Sequence, residues 1–563
     1  MSITALLIIT GIEGDSGGTY KLDSMEVTAE YYNFLHEFDM NWTIYVRKFD
    51  RFPMLFDDVK YVLLGFGGVI PVLEAITIRG GGLGENMIKV NGITLLTSTY
   101  RFMSFLPIDR DAVEVIRLYR GDMPARYDGF LSSAMEIEMG DRRYIKLGVP
   151  SANGRAAGLY VDYFWPEMLF NENFKWRTWF SVYNRGGFSA LAGYTDYSMK
   201  ADTMHGAFIG DMDSVLYFES DMKTVGASYR RGEFGVSITR EWRRILITLK
   251  NGYETEEVVY NSEKLFSELG YERGGWGAVL QYHRYTFLND DDSLYRKLGA
   301  RRNYAMVKAY RRTGWLNIGA VYFTQGKILP DIRVHYKRFI DSSRAVKVYF
   351  GTTHQGFMDY GFPFFEKVAM RGEVNTAYTF IAGYEEVRRG ISLQGNVFIR
   401  YFNPYRMVYA LSYYDNPGYV NAGDTSAFPN TPSIAAGVDF TMGDFPVKDF
   451  RLSLTIQRAV MLRSGLPIPQ DVRFIVNINY KFLNAMYMDG PLRSDVGPDD
   501  RRQRIFVRES SLYILSMAFP FQWRGFHFRI GIYNFLPTPR PINEFSSIYR
   551  AFPIPILSVR RDF

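Results

Sequence analysis

Hydrophobic and polar residues alternate with a period of two along most of the chain after about residue 140. Segment 450–457 shows the pattern clearly, because its two residue classes fall on opposite faces of an extended strand. The apolar face carries Phe450, Leu452, Leu454 and Ile456, and the polar face carries Arg451, Ser453, Thr455 and Gln457. Segments 391–401 and 472–482 repeat it. Region 141–563 is therefore predicted to consist of β-strands.

A soluble sandwich and a membrane barrel both contain such alternating strands, so strand number and size have to separate them. One strand and its turn take about 19 residues here, which predicts about 22 strands, and a barrel of that size has a lumen wide enough to need a plug. Aromatic residues recur near the strand ends, as in Trp176, Trp179 and Trp523. We predict an all-β transmembrane barrel of about 22 antiparallel strands in the outer membrane of a Gram-negative cell.

Composition limits the alternatives. The 563 residues include 17% aromatic residues, 51 Gly and no Cys, which excludes disulfides and thiolate metal sites. The net charge of +6 is spread along the chain and gives nucleic-acid binding no basic patch. No run of 18 apolar residues exists, so helical membrane spans are not predicted.

The first 140 residues have a different texture, with many glycines, a predicted short helix at 57–64 and several short strands. We predict that 33–140 form a small α/β plug domain inside the lumen and that 1–32 are a separate N-terminal segment. The apolar run 3–9 is either the remnant of an export signal or a short disordered or strand-forming end.

A glycine-rich run at 78–92, IRGGGLGENMIKVNG, admits two interpretations. A phosphate-binding loop would have to open a helix, usually with a Lys-Ser or Lys-Thr pair, and neither follows. The residues after Gly84 favour a strand and then the turn dipeptide Asn91-Gly92. We therefore predict a strand, a loop, a second strand and a hairpin turn.

A series of short motifs between residues 56 and 137 resembles the plug domain of TonB-dependent outer-membrane receptors. In order, the motifs are FDDV at 56–59, ITIRG at 76–80, KVNG at 89–92, DAVEVI at 111–116, YRG at 119–121, PARY at 124–127 and LSSAMEI at 131–137. The resemblance implies that Arg79, Gly80, Asn91, Gly92, Arg120 and Gly121 are plug signature residues. Two positions depart from the family pattern: Asn91 replaces the usual Asp, and Asp128 replaces the usual Gly and implies an altered loop.

The resemblance also implies a TonB box, the segment that pairs by strand addition with a periplasmic TonB-type energiser. Its residues would be Asp23, Ser24, Met25, Glu26, Val27, Thr28 and Ala29. The alternative is an ordinary linker strand. Family members often pair plug arginines with acidic residues of the barrel wall, so Arg79 and Arg120 are expected either to form such pairs or to lie solvated in a wet lumen.

Other candidate sites have weaker patterns. The six histidines, which are His36, His205, His283, His335, His354 and His527, show no metal-ligand spacing. Segment 289–293 is acidic but lacks the glycine and distal glutamate of a calcium loop. We find no catalytic constellation and expect no enzyme activity, metal or cofactor. The long irregular segments 415–433 and 486–511 are candidates for the cell-exterior side, and the other connections are expected to be short.

The resemblance implies active uptake of a scarce nutrient, such as an iron chelate, a siderophore or cobalamin. The expected partners are the energiser, outer-membrane lipid and an extracellular small-molecule ligand, with no nucleic acid, and the protein is expected to be a monomer. Two alternatives use the same scaffold: a surface receptor or adhesin that transports nothing, and a porin-like barrel.

Overall fold

The computed structural model describes about two thirds of the chain. The described residues are 42–45, 62–72, 75–81, 85–96, 110–140, 144–148, 151–155, 159–171, 174–200, 214–251, 254–289, 301–356, 374–405, 431–444, 449–462, 474–489, 492–496, 504–508, 511–533 and 554–563. Among them, no helix is long and apolar enough to span a membrane.

A small plug domain precedes the barrel. Its strands are β1 (Trp42–Tyr45), β2 (Val69–Val72), β3 (Ala75–Ile78), β4 (Asn86–Val90), β5 (Ile93–Leu95), β6 (Val113–Tyr119) and β7 (Ser133–Met139), with one 3-10 turn at Arg110–Ala112. Strands β1, β6, β7, β4 and β5 form one sheet in that order, and β2 pairs with β3. Strands β4 and β7 are parallel, whereas the other plug pairs are antiparallel.

The predicted strand, loop, strand and hairpin turn are present in this domain. Strand β3 leads into the glycine run, and β4 pairs with β5 through the two-residue turn Asn91-Gly92. Both turn residues have left-handed φ values, 47° and 83°, which Asn and Gly adopt at low cost. Of the predicted helix at 57–64, only the end is described, where Val62 and Leu63 are helical.

The remainder of the described chain is almost entirely barrel. Its first strands are β8 (Tyr144–Gly148), β9 (Ser151–Arg155), β10 (Leu159–Asn171), β11 (Phe174–Arg185), β12 (Phe188–Lys200), β13 (Ser214–Arg231), β14 (Phe234–Asn251), β15 (Glu254–Arg273), β16 (Trp276–Asn289), β17 (Arg301–Thr313), β18 (Leu316–Phe323) and β19 (Lys327–Phe339). The later strands are β20 (Arg344–Gln355), β21 (Asn375–Arg388), β22 (Ile391–Tyr405), β23 (Thr431–Asp444), β24 (Phe450–Met461), β25 (Phe474–Tyr480), β26 (Leu483–Met488), β29 (Leu512–Trp523), β30 (Phe526–Tyr533) and β31 (Ile554–Asp562).

Twenty-two of the described strands close into this barrel, which confirms the predicted number. Neighbouring strands are antiparallel throughout, and the last strand, β31, closes the ring by pairing with β8, from Ser558 opposite Gly148 to Asp562 opposite Tyr144. A separate two-stranded hairpin, β27 (Leu492–Val496) with β28 (Arg504–Arg508), lies in the connection between β26 and β29.

Connection length differs between the two ends of the barrel. At one end, seven connections are turns of two residues, for example Gly186-Gly187 and Arg524-Gly525. At the other end, 406–430 join β22 to β23 and 489–511 join β26 to β29, so segments 415–433 and 486–511 belong mainly to connections of this end, although 406–430 lie outside the described residues and 431–433 and 486–488 are parts of β23 and β26. That this end faces the cell exterior stays a prediction. The expectation that the remaining connections are short is wrong at this end, because 201–213, 290–300, 356–374 and 534–553 also join strands there.

The alternating pattern has the polarity expected of a membrane barrel. In β24 the polar residues point inward and are buried, as shown by Gln457 at 2% exposure, whereas Ile456 points outward and is 48% exposed. The same alternation in β22 buries Gln394, Asn396 and Arg400 on the inside. An apolar outer surface with a polar interior is the arrangement that a bilayer requires of a closed barrel.

Candidate functional site at the plug and barrel wall

The signature pair Arg79-Gly80 forms the turn that follows β3. Both residues are left-handed, with φ values of 48° and 74°. A Cβ atom at Gly80 would lie 2.3 Å from the Cβ of Ala435 on β23, so only glycine permits this approach to the barrel wall. The close approach brings the Arg79 side chain to the same strand.

The two signature arginines meet at one barrel carboxylate, Asp439 on β23. The Arg79 Nε lies 2.7 Å from Asp439 Oδ2, and the Arg120 Nη1 lies 3.3 Å from Asp439 Oδ1. The Arg79 Nη1 also donates to the Arg120 carbonyl at 2.7 Å. All three side chains are at most 2% exposed. Of the two alternatives for these arginines, the structure therefore shows the wall pair, with Asp439 as the shared partner.

Neutral polar groups complete this Asp439 centre. The Arg120 Nη2 donates to Gln394 Oε1 at 2.8 Å, Arg120 Nη1 also donates to the Gly67 carbonyl, and Asn396 Nδ2 donates to Asp439 Oδ1 at 2.7 Å. Burial lowers the pKa of Arg120 to about 10, although Asp439 opposes the shift. Two guanidinium groups thus share one buried carboxylate, and neutral hydrogen-bond partners surround them.

Asp128, the residue that departs from the family pattern, is the plug member of a second buried charge cluster. Its Oδ2 lies 2.8 Å from Lys308 Nζ on β17 and 3.2 Å from Arg333 Nη2 on β19. Asp331, also on β19, lies 2.7 Å from Lys308 Nζ and 2.9 Å from Arg333 Nε. All four side chains are 0% exposed. We call this set of Asp128, Lys308, Asp331 and Arg333 the Asp128 quartet.

The quartet also orders the plug loop around Asp128. Arg333 Nη1 donates to three plug carbonyls, those of Met123, Pro124 and Tyr127, at 2.9, 2.6 and 2.9 Å. The His354 backbone N–H at the end of β20 donates to Asp128 Oδ1 at 3.0 Å, and Gly129 N–H donates back to the His354 carbonyl at 3.0 Å. The plug backbone therefore continues the hydrogen bonding of a barrel strand.

Electrostatics fix the charge state of Asp128. Burial raises the pKa of this carboxyl, but the neighbouring Lys308 and Arg333 charges outweigh burial and lower its pKa to about 2. The carboxylate is therefore ionised at neutral pH, and the quartet contains two charges of each sign.

The remaining signature residues contact other parts of the wall. The Asn91 carbonyl accepts a hydrogen bond from Ser228 Oγ on β13 at 2.8 Å, and Asn91 Oδ1 accepts one from Met139 N–H at 2.9 Å. Gly121 has a left-handed φ of 93°, and a Cβ there would lie 3.4 Å from Thr379 on β21. The signature residues therefore form one group around Asp439, with Asn91-Gly92 on a different side of the lumen.

Several sequence-predicted residues lie outside the described part of the chain. They include the whole box-like segment, Asp23, Ser24, Met25, Glu26, Val27, Thr28 and Ala29, and also His36, His205 and the acidic residues 290–292. Among the described residues, no cluster of three or more histidines, aspartates or glutamates could hold a metal ion.

Sequence reasoning did not identify the barrel partners of the plug. The alternating pattern predicts that Arg333 and Asp439 face the lumen. Which plug residue meets which strand depends on long-range contacts, because Asp128 and Arg333 are separated by 205 positions in the sequence and Arg79 and Asp439 by 360. The departure at Asp128 was the only sequence signal for the second cluster.

The described fold and its buried attachments define a plugged transmembrane-type β-barrel. Neither a family model nor a curated protein sequence matches the chain. Among solved structures, the siderophore receptor PirA from Acinetobacter baumannii is 11% identical, with 93% of this chain and 98% of that chain covered and a TM-score of 0.56.

Two further solved structures are similar over nearly the whole chain. The ferripyoverdine receptor of the outer membrane of Pseudomonas aeruginosa is 11% identical, covers 93% and 86% of the two chains, and has a TM-score of 0.60. The FrpB iron transporter from Neisseria meningitidis is 10% identical, with 93% of this chain and 99% of that chain covered, and also has a TM-score of 0.60. At these identities the similarity shows the fold. The chain has the fold of the TonB-dependent outer-membrane receptors.

Proposed function

We propose that this protein is a TonB-dependent transporter that takes up a scarce nutrient across the outer membrane. The observation that carries the proposal is the plug itself, which is joined to the wall through Asp439 on one side and through Lys308 and Arg333 on another. A lumen closed by such buried ion pairs does not suit passive diffusion, because separating the partners of a buried pair is costly. Transport through it needs an energy input.

The proposed energy input enters through the N-terminal segment. An extended stretch such as 23–29 can add to an exposed sheet edge of a periplasmic partner through backbone hydrogen bonds, with little demand on side chains. Pulling on this segment would load the plug sheet, whose first described strand, β1, pairs with β6. Strand β6 ends at Tyr119, directly before Arg120 of the Asp439 centre.

The proposed organisation follows from this mechanism: 1–32 contact the energiser, 33–140 form the plug, and 141–563 form the barrel. A single chain closes its own barrel through β31 and β8, which supports a monomer. The similar solved structures are siderophore receptors and iron transporters, which favours an iron chelate as the cargo class and a receptor without enzyme activity. The ligand would enter from the end with long connections.

The test is a deletion of 23–29, compared with a deletion of 13–19 that removes the same number of residues from the same segment. Cells that depend on this protein for an iron chelate should lose uptake with the first deletion and keep it with the second. Surface binding of the chelate should persist in both. Normal uptake after loss of 23–29 would contradict the energised mechanism, and binding without uptake in the unaltered protein would favour a receptor that transports nothing.

A further inference from the structure

Basic residues occupy strained positions in the short turns of the barrel. The turns Arg389-Gly390, Lys481-Phe482 and Arg524-Gly525 each begin with a left-handed residue, at φ values of 51°, 50° and 49°. Asn and Gly adopt this conformation most readily, and the plug turn uses Asn91 at a φ of 47°. A long cationic side chain at three such positions goes against the local preference, which indicates that the charge itself is used.

The same end of the barrel carries a repeated positive charge. In six of the seven two-residue turns, an exposed basic residue lies in the turn or directly before it. We call these six residues the basic rim, and they are Arg185, Arg231, Arg273, Arg389, Lys481 and Arg524. Glu233 lies 3.9 Å from the rim residue Arg273 and offsets part of its charge, whereas Asp341 and Asp562 pair with Arg344 and Arg560, which are not rim residues.

Aromatic rings place two of these charges, and the nearby Arg311, at the level of the bilayer surface. The Arg524 guanidinium lies 4.8 Å from the Trp523 ring centre, the Lys481 ammonium lies 5.3 Å from that of Tyr480, and the nearby Arg311 lies 5.0 Å from that of Trp276. Trp276 and Trp523 are more than half exposed on the outer surface. Exposed Trp and Tyr on a membrane barrel mark the interface between the hydrocarbon and the headgroups.

We propose that the basic rim binds the phosphate groups of anionic phospholipids in the leaflet that surrounds the short-turn end. Guanidinium and ammonium groups at headgroup depth complement phosphate, and a ring of them around the barrel would collect such lipids from a mixed bilayer. An acidic periplasmic protein is the other possible partner. Two rim cations, Lys481 and Arg524, lie over the lipid-facing rings of Tyr480 and Trp523, so the geometry favours the lipid. The inference is independent of the transported ligand.

The experiment uses the full chain in neutral detergent, titrated with phosphatidylglycerol and, in parallel, with phosphatidylcholine, and bound lipid is counted by native mass spectrometry. The rim variant is Arg389→Asn with Arg524→Asn, because asparagine fits the left-handed turn and removes the charge without disturbing the fold. The matched control is Lys223→Gln with Arg244→Gln, which removes two exposed charges from the outer face of β13 and β14, away from the turns.

We expect phosphatidylglycerol affinity to fall about fivefold for each rim charge removed, and Lys481→Asn should add a further step of the same size. The control should bind like the unaltered protein, and phosphatidylcholine binding should not change in any variant. Equal losses in the rim variant and the control would overturn the proposal, as would an unchanged affinity in the rim variant. Loss of binding to an acidic periplasmic protein without loss of lipid would assign the rim to that partner instead.

Discussion

Replacing Asp128 with asparagine should loosen the plug more than any surface substitution. The carboxylate is balanced by Lys308 and Arg333, and all members of the Asp128 quartet are fully buried. The variant keeps the shape of the side chain but leaves two cations opposite the single carboxylate of Asp331. Breaking a buried ion pair from one side costs about 3–5 kcal/mol, because the remaining charge is uncompensated.

A buried thiol can report plug opening. The chain contains no cysteine, so Ala134→Cys would introduce its only thiol. Ala134 is fully buried in β7, packed among Met87, Tyr119, Met123 and Tyr127. If labelling by a thiol reagent requires the plug to open, its rate follows the opening equilibrium. A loss of about 3–5 kcal/mol then corresponds to labelling roughly 150-fold to several thousand-fold faster.

Two comparisons make the result specific to the quartet. Adding Lys308→Met to Asp128→Asn removes one charge of each sign and leaves the pair Asp331 and Arg333, so much of the protection should return. Asp341→Asn removes the carboxylate of an exposed arginine pair and should change the rate little. If Asp128→Asn is labelled as slowly as the Ala134→Cys parent, the quartet does not hold the plug and the reasoning is wrong.

Three further predictions use the same interface. Gly80→Ala should lower the free energy of plug opening by about 1–3 kcal/mol, because the added methyl group clashes with Ala435, and thiol labelling should therefore be faster. Adding Ala435→Gly should recover the steric part of this loss. The control Gly270→Ala, whose methyl group meets open space, should not change the labelling rate. Because the pKa of Asp128 is lowered to about 2, its contribution to the stability of the plug is complete above about pH 4 and is lost as the pH falls towards about 2. The difference in pepsin sensitivity between the unaltered protein and Asp128→Asn should therefore disappear between these two pH values. In planar bilayers, the full chain should stay nearly closed and a variant lacking 1–140 should conduct; high spontaneous conductance of the full chain would support the porin-like alternative.

The barrel could be predicted from the sequence because its signal is local and repeated. A period of two over many strands, as in 450–457, fixes which residues face the lumen, and strand length gives the number of strands. The hairpin at Asn91-Gly92 was predictable for the same reason, since the turn type follows from two adjacent residues. The lengths of the connections were less predictable, because loop boundaries have no comparable periodicity.

The attachments of the plug could not be predicted in the same way. Arg79 and Arg120 were expected from the resemblance, but Asp439 lies 360 and 319 positions away from them, and pattern alone does not set the rotation of the plug within the barrel. Asp128 was visible only as a departure from the family pattern. The structural role of Asp128 depends on its partners Lys308 and Arg333, which cannot be told apart in the sequence from other lumen-facing cations.

The two attachments of the plug differ in charge balance, and this difference bears on how the plug could open. At the Asp439 centre, two guanidinium groups share one carboxylate, and burial lowers the pKa of Arg120 to about 10 although the charges of Asp439, Asp122 and Glu385 all oppose the shift. In the Asp128 quartet, two cations face two carboxylates at 2.7 to 3.2 Å. Hydration relieves a buried charge that its partners offset incompletely more than it relieves a balanced set, because the less stabilised ion gains more from water. Water should therefore enter first beside β23, at Arg79 and Arg120, while the loop around Asp128 keeps its contacts with β17 and β19.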